Sequence, residues 1–173
     1  MAYGMDSEKL SGRTKQPGHD QTFRVSEANF MEAARSCLDL SRYRVEEQPR
    51  DLARIFVDPN GESALGVQPE AVVESLTTNR RFYVEVKKQG PRGNAEERAC
   101  KHHTVRFVRH LHDRYGYDYH PYITVFCENL ATDRRYTQKF QYLFEPDNYF
   151  LWVGYDLDNL KNYLEGRCKA WLD

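Results

Sequence analysis

Glu70, Glu85 and Lys87 have the residue types and the spacing for metal-assisted hydrolysis. Glu85 and Lys87 are two positions apart, so they share one face of an extended strand. Glu70 stands fifteen positions before Glu85, and a hairpin between them would bring the two carboxylates together. Carboxylate oxygens suit Mg²⁺, and a nearby ammonium can orient and activate an attacking water. The alternative is an exposed strand face with a surface Glu-Lys pair, which is common in any sheet.

The next segment combines small residues with side chains that can recognise bases, in the order Arg92-Gly93-Asn94-Ala95-Glu96-Glu97-Arg98. The amide of Asn94 can bind N6 and N7 of adenine in the major groove, and the fork of Arg98 can donate to base acceptors. Small residues at Gly93 and Ala95 would let a helix start approach the base edges, where its N-terminus also favours phosphate. The alternative is that Asn94 only caps a helix whose first turn is acidic.

Both segments resemble those of type II restriction endonucleases of the EcoRI and MunI kind, and the resemblance is closer to the MunI branch. The order and spacing of Glu70, Glu85 and Lys87 resemble the PD-(D/E)XK nuclease core, with Glu70 where the family usually has Asp. The pattern Gly-Asn-Ala-x-Glu-Arg at 93–98 resembles the helix start with which these enzymes read an AATT core. Further similarity lies at 10–13 and 147–152, so the resemblance spans most of the chain.

The resemblance implies an α/β fold of the PD-(D/E)XK restriction-endonuclease type, with a central mixed β-sheet flanked by helices. It also implies a type II restriction endonuclease that uses Mg²⁺ to hydrolyse double-stranded DNA at a palindrome with an AATT core. A two-fold DNA site is matched most simply by a C2 homodimer in which each subunit cuts one strand. A cognate DNA methyltransferase would belong to the same restriction-modification system.

The same resemblance assigns Glu70, Glu85 and Lys87 to catalysis, with Glu70 and Glu85 as metal ligands. It assigns DNA contacts to five residues and a supporting role to two more. The contact residues are Arg92, Asn94, Ala95, Arg98 and Lys101, and the supporting residues are Gly93 and Glu97.

The expected DNA contacts differ in kind. By resemblance, Asn94, Ala95 and Arg98 contact the inner AATT bases, Glu97 holds Arg98, and Lys101 lies near a phosphate. An arginine at the position of Arg92 reads the outer C·G pair in the MunI branch, so we expect the site CAATTG. An Arg fork matches O6 and N7 of guanine well, although a phosphate contact or a solvated loop position is the alternative.

Two other functions stay open on the sequence alone. One is a nuclease with the same core but no sequence preference, and the other is a sequence-specific DNA-binding protein that Glu70 has impaired in catalysis. A zinc site is disfavoured, because the histidines match no zinc-finger spacing. We expect solvated or phosphate-facing positions on a basic helix for His102, His103, His110, His112 and His120.

The elements that must position these residues follow from hydrophobic periodicity and turn residues. We expect an N-terminal arm over 1–21 and a single nuclease domain over 22–173. Inside the domain we predict a helix around 30–38, a hairpin of strands 71–76 and 81–86, and a long helix over 94–115. Further strands are predicted at 121–128, 136–144 and 149–153, and an amphipathic helix over 157–171.

The composition is that of an ordinary globular protein, with 173 residues, 40% of them hydrophobic and 29% charged. The net charge of −1 excludes a polycation that coats nucleic acid by bulk charge, although basic residues outnumber acidic ones between Arg80 and Arg114. The four cysteines stand far apart, which predicts reduced thiols. The absence of a long apolar run predicts no membrane segment and no secretory signal, and hence a cytoplasmic location.

Overall fold

The structure is a computed structural model in which residues 29–57, 64–89 and 93–173 are described. The expected N-terminal arm, the similarity at 10–13 and Arg92 lie outside these residues. The helices and strands are, in chain order, α1 (29–37), β1 (Tyr43–Glu47), β2 (Phe56–Val57), β3 (Ala64–Leu65), β4 (Ala71–Ser75), β5 (Arg81–Lys87), α2 (Ala95–Ala99), α3 (Val105–Tyr115), β6 (Tyr119–Cys127), α4 (Asn129–Thr132), α5 (Arg134–Leu143), β7 (Tyr149–Trp152) and α6 (Leu157–Trp171).

Five strands form one mixed sheet in the order β1-β4-β5-β6-β7. Strand β4 pairs antiparallel with β1 and β5, whereas β6 pairs parallel with β5 and β7. The segments that join β5 to β6 and β6 to β7 contain helices, because a parallel strand must start at the same end of the sheet as the strand before it and so needs a long crossover. The predicted hairpin, the predicted strands at 121–128 and 149–153, and the mixed sheet flanked by helices are therefore confirmed. Strands β2 and β3 form a separate two-stranded ribbon.

Both faces of the sheet are covered, so alternate residues of β5 enter two different cores. Val84 packs in a core that includes Leu164 of α6 and the buried side of α1. Tyr83 packs on the opposite face, in a core that includes Leu111 of α3. Glu85 and Lys87, the two candidate catalytic residues of β5, stand two and four positions after Tyr83, so their side chains lie on the same face of the sheet, which α3 covers.

The strand predicted at 136–144 is wrong, because this segment forms helix α5. The side chain of Asp133 caps the helix by accepting a hydrogen bond from the backbone N–H of Arg135 at 2.9 Å. Tyr136 and Phe140, four residues apart, are both buried on one side of the helix. Aromatic residues at even positions imitate the alternation of a strand, but a four-residue spacing of the buried ones belongs to a helix.

The single long helix predicted over 94–115 is also wrong, because the chain breaks it into two. Helix α2 passes into a 3-10 turn at Cys100–His102, and Thr104 then adopts an extended conformation. The hydroxyl of Thr104 accepts from the backbone N–H of Phe107 at 3.2 Å and so starts α3 afresh. The break separates the candidate base-contacting segment from α3.

The helices predicted around 30–38 and over 157–171 agree with the structure. Helix α6 buries Leu160, Leu164 and Cys168, and α1 buries Phe30 and Ala34, as the predicted stripes require. All four cysteines are free thiols. Within the described residues, no helix is long and apolar enough to cross a membrane.

The helical state of α5 makes a mutational test simple. Phe140 is fully buried, whereas Tyr142 is 83% exposed, although both would share one face of a strand. We expect Phe140→Ala to lower the free energy of unfolding by about 3–5 kcal/mol and Tyr142→Ala to change it by less than about 0.5 kcal/mol. Urea denaturation measures both values, and similar losses for the two variants would contradict the helix.

Candidate active site and nucleic-acid interface

The β4–β5 hairpin brings the carboxylates of Glu70 and Glu85 to the ammonium of Lys87. The Lys87 Nζ atom lies 3.2 Å from Glu70 Oε1 and 3.0 Å from Glu85 Oε1. All three side chains are largely buried, with exposed fractions of 16%, 18% and 9% for Lys87, Glu70 and Glu85. Lys87 therefore contacts both carboxylates with which it is expected to act, on the face of the sheet that it shares with Glu85.

The backbone of the hairpin fixes the orientation of Glu70. Its N–H donates to the carbonyl of Val84 at 3.2 Å, so Glu70 continues the pairing just before β4 begins. Its side-chain Oε2 accepts a short hydrogen bond from the backbone N–H of Val86. The carboxylate thus accepts a hydrogen bond that a backbone carbonyl would otherwise accept in the pairing of the strands. Its other oxygen, Oε1, is directed to Lys87.

Opposing effects set the pKa of Lys87. Burial disfavours the ammonium, but the negative charges of Glu70 and Glu85 outweigh burial and raise the pKa above its ordinary value. Lys87 is therefore protonated at neutral pH. With both carboxylates ionised, two negative charges surround one positive charge, and the net negative charge favours a cation.

The donor set of this site fits Mg²⁺ better than a softer metal. Glu70 and Glu85 offer oxygen ligands, and no group of three or more His, Cys, Asp or Glu side chains in the described part of the chain is arranged to hold a metal. Mg²⁺ commonly uses one or two carboxylates and completes its shell with water and phosphate oxygens. A site with two converging carboxylates therefore fits the expected metal.

A buried histidine borders this site. The ring of His102 lies flat on that of Tyr122, with centroids 4.0 Å apart and planes 8° apart, and its Nδ1 is 3.9 Å from Glu85 Oε1. Burial lowers the pKa of His102 to about 3, and Lys101 and His103 add smaller effects, so the ring is neutral. His103 is mostly buried too, with its Nε2 2.8 Å from Thr124 Oγ1. The expectation of solvated positions on a basic helix is wrong for His102, because the chain break after α2 buries the ring against Tyr122. It is also wrong for His120, which lies in strand β6 and stacks on Trp171.

Helix α2 obtains its N-terminal cap from an unexpected residue. Asn94 stands at the N-cap position, but its side chain makes no capping hydrogen bond. Instead Gln89 Oε1 accepts from the backbone N–H of Ala95 at 2.7 Å. Gly93 permits this contact, because a Cβ at that position would lie 2.8 Å from Gln89 Oε1. The alternative in which Asn94 acts as a helix cap is contradicted, and its amide is left for other contacts.

One side of the α2 segment is exposed and the other is buried. Asn94, Arg98 and Lys101 are all exposed, and their spacing of four and three places them along one side. Ala95 and Ala99 face the opposite way and pack in a core with aromatic residues of β6 and α5. Glu97 is exposed, and no ion pair joins it to Arg98 among the described residues. The segment therefore presents a polar and basic stripe soon after the end of strand β5.

Sequence inspection missed two residues of this region. The position of Gln89 beside the site can be predicted from the sequence, because Glu85, Lys87 and Gln89 continue the two-residue alternation of β5 past its end. No sequence pattern predicts the position of His102, because its burial depends on the break between α2 and α3. Gln89 joins the end of β5 to the start of α2, and His102 follows α2 and lies near the carboxylate of Glu85.

Comparison with known proteins decides the family. The model of the family "Type II restriction enzyme MunI" matches residues 5–173. The chain belongs to the MunI family of type II restriction enzymes. It is accordingly a type II site-specific deoxyribonuclease. The similarity covers nearly the whole sequence, including both segments that suggested a restriction endonuclease.

A solved structure shares the fold. The crystal structure of the MunI restriction endonuclease in complex with cognate DNA superposes with a TM-score of 0.64 at 21% sequence identity. The match covers 87% of this chain and 97% of the MunI chain. The chain therefore shares the fold of this restriction endonuclease, and the expected fold class, a mixed sheet flanked by helices, is confirmed. No curated protein sequence matches the chain significantly.

The capping contact of Gln89 predicts a measurable loss of stability. Gln89→Leu removes the acceptor of the buried Ala95 N–H, so we expect the free energy of unfolding to fall by about 1–3 kcal/mol. Gln141 is exposed on α5, and Gln141→Leu is the matched control, with an expected change of less than about 0.5 kcal/mol. Urea denaturation compares the two, and equal effects would contradict the capping role.

Proposed function

We propose that this MunI-family enzyme uses Mg²⁺ to hydrolyse both strands of double-stranded DNA at CAATTG. The observation that carries the proposal is the convergence of Glu70 and Glu85 on Lys87, directly beside the exposed stripe of α2. The first group supplies the chemistry of phosphodiester hydrolysis, and the second supplies contacts to base edges. Helix α2 contacts strand β5, so binding of a recognised site would also place its backbone near the catalytic residues.

The catalytic residues have separate roles in this proposal. Glu70 and Glu85 hold Mg²⁺, which when bound polarises the scissile phosphate and stabilises the charge that develops on it. The ammonium of Lys87, in contact with both carboxylates, orients and activates the attacking water. Its positive charge also favours the pentavalent transition state. Burial of the group keeps the three side chains in fixed positions.

The recognition residues follow from the exposed stripe. The amide of Asn94 is not used as a helix cap, so it can bind N6 and N7 of an adenine, and Arg98 on the same side can donate to a neighbouring base. Ala95 and Gly93 contribute small size, which lets the start of α2 approach the base edges. Lys101, one turn further along, would contact a phosphate. DNA as the partner is supported by the MunI structure, which holds cognate DNA.

The proposal includes a two-fold symmetric dimer and a cognate methyltransferase. A palindrome presents the same half-site twice, so a C2 homodimer lets each subunit read one half and cut one strand. Each subunit then needs only one active site. A cognate DNA methyltransferase would protect the same sequence in the host, as a partner in function rather than in contact.

The catalytic assignment predicts separable effects on cutting and binding. We expect Lys87→Ala and Glu85→Gln to abolish cleavage of a plasmid in Mg²⁺, because each removes a group used in hydrolysis. Glu70→Asp should retain cleavage, because the shorter acid is still an oxygen ligand. Binding of a cognate duplex by Lys87→Ala, measured in Ca²⁺ by gel shift, should stay near the wild-type level.

Two results would overturn this assignment. Cleavage at the wild-type rate by Lys87→Ala would remove the lysine from the mechanism. Tight, specific binding by the wild-type protein with no cleavage in any divalent cation would instead identify a DNA-binding protein impaired by Glu70. Sequencing of the fragment ends from a digested plasmid shows the site and the cut position directly.

The recognition assignment predicts three patterns on a panel of duplexes with NAATTN centres. Asn94→Ala and Arg98→Ala should each lose about 1–3 kcal/mol of discrimination against changed inner bases. Lys101→Ala should weaken binding to every duplex alike, because phosphate contacts carry no sequence information. Arg92→Ala should lose the preference for CAATTG among AATT sites while it keeps the inner core.

Competition binding in Ca²⁺ at fixed salt measures these preferences. Equal proportional losses on specific and random duplexes for Asn94→Ala and Arg98→Ala would contradict base readout by α2. An undiminished CAATTG preference in Arg92→Ala, or cutting of all AATT sites alike by the wild-type enzyme, would contradict readout of the outer pair.

A further inference from the structure

The imidazole of His102 lies between the recognition segment and the metal-binding carboxylates. It belongs to the 3-10 turn that directly follows α2, and its Nδ1 is 3.9 Å from Glu85 Oε1. The same oxygen is 3.0 Å from Lys87 Nζ. One carboxylate oxygen of Glu85 therefore faces two nitrogen-bearing side chains, one from its own strand and one from the turn.

The ring is held in place by packing rather than by its own polar atoms. Tyr122 lies flat against one side, and Phe107 meets the ring at 61° with centroids 5.7 Å apart. Only 2% of the residue is exposed. Because aromatic contacts fix the ring plane, the direction of Nδ1 toward Glu85 is set before any ligand binds.

The polar atoms of His102 and Tyr122 lack hydrogen-bond partners within the described part of the chain. Neither ring nitrogen of His102 makes a hydrogen bond, and the hydroxyl of Tyr122 makes none either. Buried polar groups in folded proteins are nearly always hydrogen-bonded, and an orphaned one costs free energy. Glu85 is the carboxylate in reach of the ring, and a short rotation of its side chain closes the distance to that of a hydrogen bond.

We propose that His102 is a positioning residue of the active site, whose Nδ1–H donates to Glu85 and holds that carboxylate ready to bind the metal. The inference rests on the proposed function, because it assigns Glu85 as a metal ligand. Groups that hydrogen-bond to metal-ligating side chains fix their orientation and raise metal affinity. His102 itself touches neither metal nor DNA in this role.

Two variants of His102 separate the donor from the ring. His102→Phe keeps an aromatic ring against Tyr122 but has no N–H, whereas His102→Asn keeps a donor near the position of Nδ1 and loses the stacking. His110 provides the control, because it also stacks on a phenylalanine, Phe56, and binds a backbone carbonyl elsewhere. His110→Phe removes a partly buried imidazole without touching Glu85.

The measurement is the affinity for Mn²⁺, followed by electron paramagnetic resonance in the presence of a CAATTG duplex, with the melting temperature of each variant. We expect His102→Phe to raise the Mn²⁺ dissociation constant by about tenfold or more without a lower melting temperature. His102→Asn should recover most of the affinity even where its melting temperature falls. His110→Phe should bind Mn²⁺ as the wild type does.

Glu85→Gln distinguishes failure of the inference from failure of the proposed function. Loss of Mn²⁺ binding in Glu85→Gln together with wild-type affinity in His102→Phe would overturn the positioning role and leave the metal site intact. Wild-type affinity in Glu85→Gln would overturn the metal site itself. Loss of Mn²⁺ affinity in His102→Asn with wild-type affinity in His102→Phe would show that the ring, and not its donor, matters, and would also overturn the positioning role.

Discussion

The register between β4 and β5 is the constraint on which the proposed active site depends. Pairing of Ala71 with Val84 brings Glu70 beside Glu85. Side chains alternate along a strand, so a slip of one residue would turn Glu85 and Lys87 to the α6 face and expose valines to the site. The turn helps to prevent such a slip, because Ser75 Oγ accepts from the N–H groups of the next residues and Asn79 adopts a positive φ of 61°.

Strand β5 carries two polar clusters with different charge balances. Near its start, Arg81 binds Asp51 at 3.1 Å and Glu74 at 2.5 Å, and Arg44 also binds Glu74, so two cations meet two anions. Near its end, one ammonium meets two carboxylates. The first cluster is electrically complete and serves the fold. The second has an excess of negative charge, which a divalent cation can neutralise.

The sequence predicted the parts of the structure that depend on local pattern. The hairpin and the grouping of Glu70, Glu85 and Lys87 follow from strand alternation and spacing, and the structure reproduces both. Helix α5 was mistaken for a strand because its aromatic residues fall at even positions, and only the partners across the core show that Tyr136 and Phe140 share a side. The burial of His102 depends on long-range contacts with β6, which no local pattern encodes.

Strand β5 lies third of five in the sheet, between β4 and β6, and helices cover both of its faces. Amide hydrogens in such a strand exchange with solvent only when the whole domain unfolds, whereas loops open locally. The proposed catalytic residues Glu85 and Lys87 therefore lie on a strand that does not open separately from the rest of the domain. Activity in such an enzyme should not decline gradually on warming, but should persist up to the cooperative unfolding transition and disappear with it.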